Sequence, residues 1–359
     1  MMLTRPDDDT LYQALLCRDA AYEGFAFVCV TSTGIFCRLT CPARKPRRDN
    51  CRFETAIAAC LEAGFRPCKR CRPMLRYGDT DPAVTGLLSA LDAEPARRRT
   101  ERDIVALGHD TSTVRRAFKR RFGMSFLEIA RLRRISSATM TLHEGASVIE
   151  AQLDAGFESG SGFRSAINQL LGATPQAIRS QSLMKAHWIE TSIGPMLCIA
   201  CEHALHLLEF ADRPALPTEL KRLQQRSGHG IIMGRTIVTE QVEEELADYF
   251  AGRAGTFTVR IGSHGTPFER DVWRALQAIP AGQSQSYSSL AASLGRPSAV
   301  RAVARTNGAN QIAVIIPCHR VIGADGSLTG YGGGLWRKQW LIRHEQQMQG
   351  MAAGTHQIR

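Results

Sequence analysis

Residues 314–345 read VIIPCHRVIGADGSLTGYGGGLWRKQWLIRHE, and the rest of the chain is best read outward from them. The Val/Ile run and Pro317 predict that Cys318 is buried, and a buried thiol by itself is raised in pKa and inert. His319, next in the chain, offers a base. Upstream, residues 266–295 (TPFERDVWRALQAIPAGQSQSYSSLAASLG) predict a helix, a loop and a second helix starting near Tyr287. RPSAVRAVARTNGANQ (296–311) then supplies a turn and a third helix with a small face: Ala299, Ala302, Val303 and Ala304. Small residues let a backbone approach DNA closely, and Arg301 projects from this helix. A bare Cys-His pair is usually a core cysteine beside an incidental histidine, so the surrounding words decide the reading.

PCHRVIG and GYGGGLWRKQWLIRHE resemble the O6-alkylguanine-DNA alkyltransferase family, over roughly residues 265–346. The resemblance implies that Cys318 accepts the alkyl group from a guanine flipped out of the duplex. His319 would be its base through a water, and Glu345 would orient His319. Asn310 would stabilise the tight turn before an active-site strand. Tyr287 would sit at the flipped base, Arg301 would fill its vacated place in the stack, and Tyr331 with the following glycines would form the lesion-pocket loop. Flipping costs a few kcal/mol, offset by pocket contacts and the inserted residue. The thioether product is stable, so each cysteine should act once.

Residues 188 to about 262 alternate apolar stretches with loops, which predicts a small sheet carrying a helix. Cys198 and Cys201 lie in a strand-like run with no second pair nearby and read as core.

Residues 97–134 hold twelve Arg/Lys against four acids. Such a basic stripe most often meets phosphate backbone. ERDIVALGHDTSTVRRAFKRRFG (101–123) reads as helix, turn, helix, with Ser112 a candidate cap and Val114, Ala117, Phe118 and Phe122 on one face. A second copy follows in SVIEAQLDAGFESGSGFRSAINQLLGATP (147–175). A helix with a polar outer face after a tight turn is the geometry that enters a major groove. Two copies joined by a long helix, about Ser125 to Leu142, resemble the AraC-type DNA-binding domain. The DNA-facing candidates are Arg115, Arg116, Lys119 and Arg120 in the first copy, and Ser159, Ser161 and Arg164 in the second.

Eight of the 11 cysteines lie in the first 71 residues. In a reducing compartment such clustering reads as metal ligation or reactive thiols. Cys37-x3-Cys41 and Cys68-x2-Cys71 can place four sulfurs around one ion, for which zinc leads. Cys17, Cys29, Cys51 and Cys60 read as core thiols. The pairs sit among basic residues, Arg44 and Arg66 included. The words TGIFCR, CPAR and AGFRPCKRC resemble the N-terminal domain of the Ada family of bacterial DNA-methylation sensors, over nearly all of residues 10–75. Where that family commonly has Pro-Ser between the first two cysteines, this chain has Leu39 and Thr40. The resemblance implies one Zn2+ held by Cys37, Cys41, Cys68 and Cys71, with Cys37 taking a methyl group from a methylphosphotriester. Methylation would remove about one negative charge facing the DNA, roughly 4 kcal/mol at 4 Å and an effective dielectric near 20 before screening. DNA affinity should then rise.

The fold class expected is multidomain α+β: a small zinc-binding α/β domain (1–78), an AraC-type paired helix-turn-helix domain (84–182), an RNase H-like αβ domain (186–264) and a mainly helical, winged-helix-like alkyltransferase domain (265–350). The net charge of +11 points to double-stranded DNA as a partner. RNA polymerase is the second expected partner, and a monomer is expected. No apolar run approaches the roughly 20 residues that span a bilayer. MMLTRPDDDT is acidic and polar, unlike a signal or transit peptide, so a cytoplasmic, nucleoid-associated protein is expected. The competing reading is a sequence-specific regulator with a structural zinc and no repair activity. A third is a repair protein whose helix-turn-helix pair only anchors it to DNA.

Overall fold

The computed structural model describes residues 6–19, 22, 24, 26–71, 73–74, 82–171, 174–262 and 265–355, leaving aside the side chains of 82, 83, 120, 170 and 350–355. The expected boundary at 78 lies outside the described residues. The chain divides into two compact units: residues 1–79, 248–257 and 265–359 form one, and residues 80–247 and 258–264 the other.

The first unit opens with helix α1 (Asp8–Cys17), capped by the Asp7 carboxylate, which accepts from the Thr10 amide at 2.7 Å. Strands β1 (Phe27–Val30), β2 (Ile35–Arg38) and β3 (Cys51–Glu54), helix α2 (Ile57–Glu62) and the short strand β4 (Arg66–Pro67) follow. The sheet order is β3-β1-β2-β4, antiparallel except for β2 beside β4. Gly34, at φ 64°, makes the tight β1–β2 turn possible. Phe27, Cys29, Phe36 and Cys60 pack into a small core. Cys29, Cys51 and Cys60 are buried as expected, but Cys17 is exposed, because it ends α1 on the face opposite Leu11, Ala14 and Leu15.

The second unit begins with seven helices: α3 (Pro82–Ala93), α4 (Glu101–Ala106), α5 (Thr111–Phe122), α6 (Phe126–His143), α7 (Val148–Asp154), α8 (Gly160–Leu171) and α9 (Pro175–Ile178). Capping boxes start three of them, Thr100 with Asp103, Ser125 with Glu128 and Ser147 with Glu150. The cap of α5 is Asp110, not Ser112: the carboxylate accepts from the Thr113 amide at 2.8 Å and from the Ser112 hydroxyl at 2.7 Å. A carboxylate is the stronger acceptor at a helix N-terminus, so the helix starts one residue before Ser112. Phe118, Phe122 and Phe126 bury against Ile104 and Val114, and in the second copy Phe163 and Ile167 bury against Ile135 and Ala151.

The unit continues with strands β5 (Leu183–Ile189), β6 (Met196–Ala200) and β7 (Leu205–Phe210), helix α10 (Leu216–Ser227), strand β8 (Gly230–Met233) and helix α11 (Ile237–Phe250), whose last three residues fall in the first unit. The order is β7-β6-β5-β8, three antiparallel strands with β8 parallel at the edge beside β5. Two helices accompany this sheet rather than the one expected, and its first strand starts before residue 186. Cys198 is buried, whereas Cys201 is only half-buried, with its Sγ 3.3 Å from His206 Nε2.

The first unit closes with α12 (Pro267–Gln277), β9 (Gln285–Ser286), α13 (Tyr287–Ser293), α14 (Val300–Gly308), β10 (Val321–Ile322) and α15 (Leu335–Thr355). β9 and β10 pair in parallel. The residues before Cys318 do not form the expected strand. Val314 has φ 72°, Ile315 and Ile316 bond back to Ala313 and Ile312, and Pro317 has no amide hydrogen to give to a ladder. A β-branched residue in the left-handed region is strained and needs its surroundings to hold it there. Among the described residues no helix is long and apolar enough to cross a membrane.

Candidate active site and metal centre

The metal centre follows from strand pairing. β2 ends in Phe36-Cys37-Arg38, and its parallel neighbour β4 puts Pro67 opposite Phe36, so Cys68 arrives beside Cys37. The remaining thiols, Cys41 and Cys71, lie in the turns that follow each strand. All four sulfurs lie within 4.8 Å of one another, and three of the four residues are buried. Cys41 Sγ and Cys68 Sγ are 3.9 Å apart. A regular tetrahedron with Zn–S bonds of about 2.3 Å has edges of about 3.8 Å. The donor set therefore fits zinc, and one tetrathiolate ion is the cofactor of this chain. The Arg38 amide points to Cys71 Sγ at 3.4 Å. Without a cation, four thiols this close cannot all ionise. Sharing hydrogens with Cys41 and Cys71 pushes the Cys37 thiol up, while the hydrogens of Cys37 and Cys71 hold Cys41 down at about 2. Arg44 and Arg66 are exposed near this cluster in sequence.

The second centre is built around Cys318, which begins a single turn of 3-10 helix, Cys318–Arg320, between the irregular apolar segment and β10. Asn310 pins the segment. Its Oδ1 accepts from the Ile312 amide at 2.9 Å, and its Nδ2 lies 2.8 Å from Ile316 O and 3.2 Å from Cys318 Sγ. The turn-stabilising position expected for Asn310 is thus occupied, and the same amide also reaches the sulfur.

His319 is fully buried, and its Nε2 donates to Glu345 Oε1 at 2.9 Å. Nδ1 has no hydrogen-bond partner among the described residues. Burial pushes the imidazole down, outweighing Glu345 and keeping it neutral. A neutral ring protonated on Nε2 has its lone pair on Nδ1, where a base needs it. Burial alone would raise the Glu345 carboxyl, but His319 and the Arg320 guanidinium hold it well below the usual carboxylate range. Tyr249 donates its hydroxyl to the same carboxylate at 2.8 Å, Arg320 Nη2 donates at 2.8 Å and the Gly282 amide at 3.0 Å. The carboxylate is fully engaged and rigid.

Tyr287 heads α13, with its hydroxyl 3.4 Å from Thr329 O and 3.5 Å from Asn307 Nδ2. Burial, then the neighbouring Cys318, raises its phenol. Arg301 is exposed on α14, whereas Tyr331 is buried. The helix-turn-helix candidates Arg115, Arg116, Lys119 and Arg164 are exposed, as are Ser159 and Ser161. The side chain of Arg120 lies outside the described residues. Arg115 pairs with Glu101 at 3.0 Å and Lys119 with Glu128 at 3.6 Å; both pairs face water and are weakly held. Ser159 has a local task, accepting from the Gly162 amide at 3.2 Å at the start of α8.

Four residues of the Cys318 centre went unread in the sequence. Lys338 is fully buried and donates to Val321 O at 2.6 Å and Thr329 O at 2.7 Å. Burial brings its ammonium down to about 8. Asn307, also buried, reaches Cys318 O at 3.3 Å, and its Oδ1 has no partner among the described residues. Arg320 and Tyr249 complete the set. Arg320 stands inside the quoted PCHR, so a charged residue within an apolar run was the available signal.

Comparison with known proteins gives three matches in chain order. Residues 10–74 match the metal binding domain of Ada, residues 105–181 a helix-turn-helix domain, and residues 267–347 the DNA binding domain of 6-O-methylguanine DNA methyltransferase. The chain is 33% identical over 347 residues to the bifunctional transcriptional activator/DNA repair enzyme Ada of Escherichia coli (strain K12), covering 94% of this chain and 96% of that one. It is 50% identical over 160 residues to a methylated-DNA–protein-cysteine methyltransferase of Shigella flexneri, covering 44% of this chain and 92% of the relative. The crystal structure of Mycobacterium tuberculosis O6-methylguanine methyltransferase aligns with a TM-score of 0.40 and 37% identity, covering 46% of this chain and 94% of that one. Fold and site together define a class that joins a cysteine metal domain, an AraC-type helix-turn-helix domain and an alkyltransferase domain. The chain belongs to the Ada family.

Proposed function

We propose that this protein repairs alkylated DNA by irreversible transfer of methyl groups to two of its own cysteines. Cys318 takes methyl from O6-methylguanine, and from O4-methylthymine, while Cys37 takes it from backbone methylphosphotriesters. The Cys37-methylated form then activates transcription of alkylation-response genes. The observation that carries this reading is one chain holding both a metal-ready quartet of thiols and a separate cysteine beside a His–Glu pair.

At Cys318 the roles follow from the hydrogen bonds. Glu345 fixes the tautomer of His319, and Nδ1 takes the thiol proton through a water. Asn310 Nδ2 stabilises the thiolate as it forms. The sulfur attacks the methyl carbon, the S–C bond forms as the O6–C bond breaks, and the thiol proton ends on the departing guanine. Tyr287 and the loop through Tyr331 hold the flipped base, and Arg301 occupies the space it leaves. No group restores the thioether, so the enzyme is a single-turnover methylated-DNA–protein-cysteine methyltransferase.

At the quartet, zinc when bound keeps the sulfurs deprotonated at neutral pH. Cys37 attacks the triester methyl, the phosphate leaves as a diester, and the cluster becomes one charge less negative. Arg44 and Arg66 face the backbone there, and the helix-turn-helix pair, through Arg115, Arg116, Lys119, Arg120 and Arg164, reads promoter DNA. The domains assigned are 1–78, 84–182, 186–264 and 265–350, with β5 carrying the start of the third back to Leu183. We place the protein in the cytoplasm with the nucleoid, as a monomer that engages RNA polymerase. Footprints of Cys37-methylated and unmethylated protein on its own promoter test the switch. Stronger protection by the methylated form is expected; equal protection would reduce the helix-turn-helix pair to an anchor.

A further inference from the structure

We infer that a cavity beside the second helix-turn-helix copy is a phosphate-binding site. It has a volume of about 270 Å³ and is lined by Arg98, Arg131, Arg134 and the segment Gly156–Ser159. Arg131 and Arg134 are three residues apart on α6, so they share a face. Arg98 comes from the connector before α4. Three guanidiniums thus converge where a protein surface would ordinarily disperse like charges.

The convergence is not cancelled internally. Glu158 is the one carboxylate in the lining, and it pairs with Arg98 at 3.1 Å. The two side chains are 61% and 89% exposed, so water screens the pair and an incoming anion can replace it. The site carries a formal surplus of two positive charges. Arg134 is the fixed element. Its guanidinium lies 5.2 Å from the centre of the Phe157 ring, and its buried Nε has no hydrogen-bond partner among the described residues. Burial and the charges of Arg98 and Arg131 all disfavour the Arg134 cation, a repulsion that an anion would relieve. The lining also reaches Ser159, next to the start of the 12-residue helix α8, whose dipole favours negative charge although Ser159 itself caps the Gly162 amide. A planar, preorganised arginine at such a wall suits a phosphate oxygen pair.

The source of the phosphate follows from the position, and this step rests on the DNA-binding reading of the helix-turn-helix pair. The wall formed by Gly156–Ser159 is the turn leading into α8, so a backbone phosphate of the duplex read by α8 lies within reach. The contact is sequence-independent and extends the footprint to the connector.

Salt titration of duplex binding by the full-length protein tests this. Losing one phosphate contact flattens the slope of log K against log [salt] by about 0.9. Arg134→Met, and separately the exposed pair Arg98→Gln with Arg131→Gln, should each flatten the slope by about one or more contacts. Affinity should fall roughly ten-fold or more, equally on promoter and random duplexes. The exposed pair keeps the test valid should Arg134→Met fail to fold. An unchanged slope, with inorganic phosphate bound by wild type and lost in the variants, would assign the site to a free phosphate instead. An unchanged slope with no phosphate binding overturns the site. If instead Arg115→Ala with Arg164→Ala leaves promoter affinity intact, the helix-turn-helix reading fails, independently of the cavity.

Discussion

Asn310 donates its side-chain amide to the sulfur of Cys318 at 3.2 Å while its own oxygen accepts from the Ile312 backbone at 2.9 Å. One buried side chain therefore sets the path of the apolar segment and supplies a donor to the nucleophile. A hydrogen bond to a charged group is worth about 1.5–3 kcal/mol. Asn310→Ala should slow methyl transfer roughly 10- to 100-fold and displace its rate–pH profile to higher pH. Rates measured across pH on folded variant check this, with a thermal melt to separate slower chemistry from lost structure. A profile that keeps its position would make Asn310 purely structural.

Glu345 and His319 make the C-terminal half of the first unit acid-sensitive. Both groups are depressed in the folded state, Glu345 by His319 and Arg320 against its own burial, His319 by burial. Each contributes stability that is present above its unfolded pKa, about 4.3 and 6.5, and is lost as pH falls through the folded value. Melting temperature should be nearly flat from pH 8 to 7 and decline progressively below about 6.5. Glu345→Gln leaves Arg320 without its counter-charge in a buried site, at a cost of about 3–5 kcal/mol. That variant should melt much lower at neutral pH and lose the part of the pH dependence that lies below about 4.3, while the decline below 6.5 that His319 causes is kept. A melt that tracks wild type would contradict the network.

Lys338 ties two segments together, bonding Val321 O in β10 and Thr329 O in the loop before Tyr331. Lys338→Met keeps the packing volume but leaves both carbonyls unsatisfied, at about 1–3 kcal/mol each. Hydrogen exchange should accelerate in residues 329–334, and transfer from O6-methylguanine should fall at least ten-fold. Unchanged exchange there would remove Lys338 from the account.

Removing the metal should unfold the segment around β1–β4. Structural zinc contributes about 10–16 kcal/mol to small metal-dependent folds, and here it would tie the ends of β2 and β4 together through Cys37 and Cys68. Chelation, or Cys41→Ser, should release one zinc per chain and expose residues 27–71 to protease, with guanine repair by Cys318 retained. A protease-resistant apo form would show that the thiols are held by packing alone.

Both centres were legible at their cysteines and at the supports carried by the quoted words, and not at Tyr249, Asn307, Arg320 and Lys338. Cys37, Cys41, Cys68 and Cys71 stand in two short spacings, so local sequence names the donors, and β2–β4 pairing needs only to join them. Cys318, His319 and Glu345 are carried by the quoted stretch. Tyr249 is 96 residues from Glu345, and its hydroxyl bond exists only because tertiary packing brings α11 to α15. Lys338 went unread because lysine is rarely buried, and only the fold shows two carbonyls waiting for it. The strand expected before Cys318 came from the resemblance, and Val and Ile favour strands. Asn310 and Pro317 override that preference by taking over the carbonyls and removing a donor.

The central claim is that one chain carries two acceptors of different specificity. DNA bearing labelled methyl on both O6-guanine and phosphotriesters, incubated with wild type, Cys318→Ala and Cys37→Ala, followed by mass mapping of peptides, tests it directly. Wild type should take up two methyls, one on Cys318 and one on Cys37. Cys318→Ala should keep only the label at Cys37, and Cys37→Ala only that at Cys318. Demethylation of guanine by Cys318→Ala, or label on any other cysteine of wild type, would contradict the account.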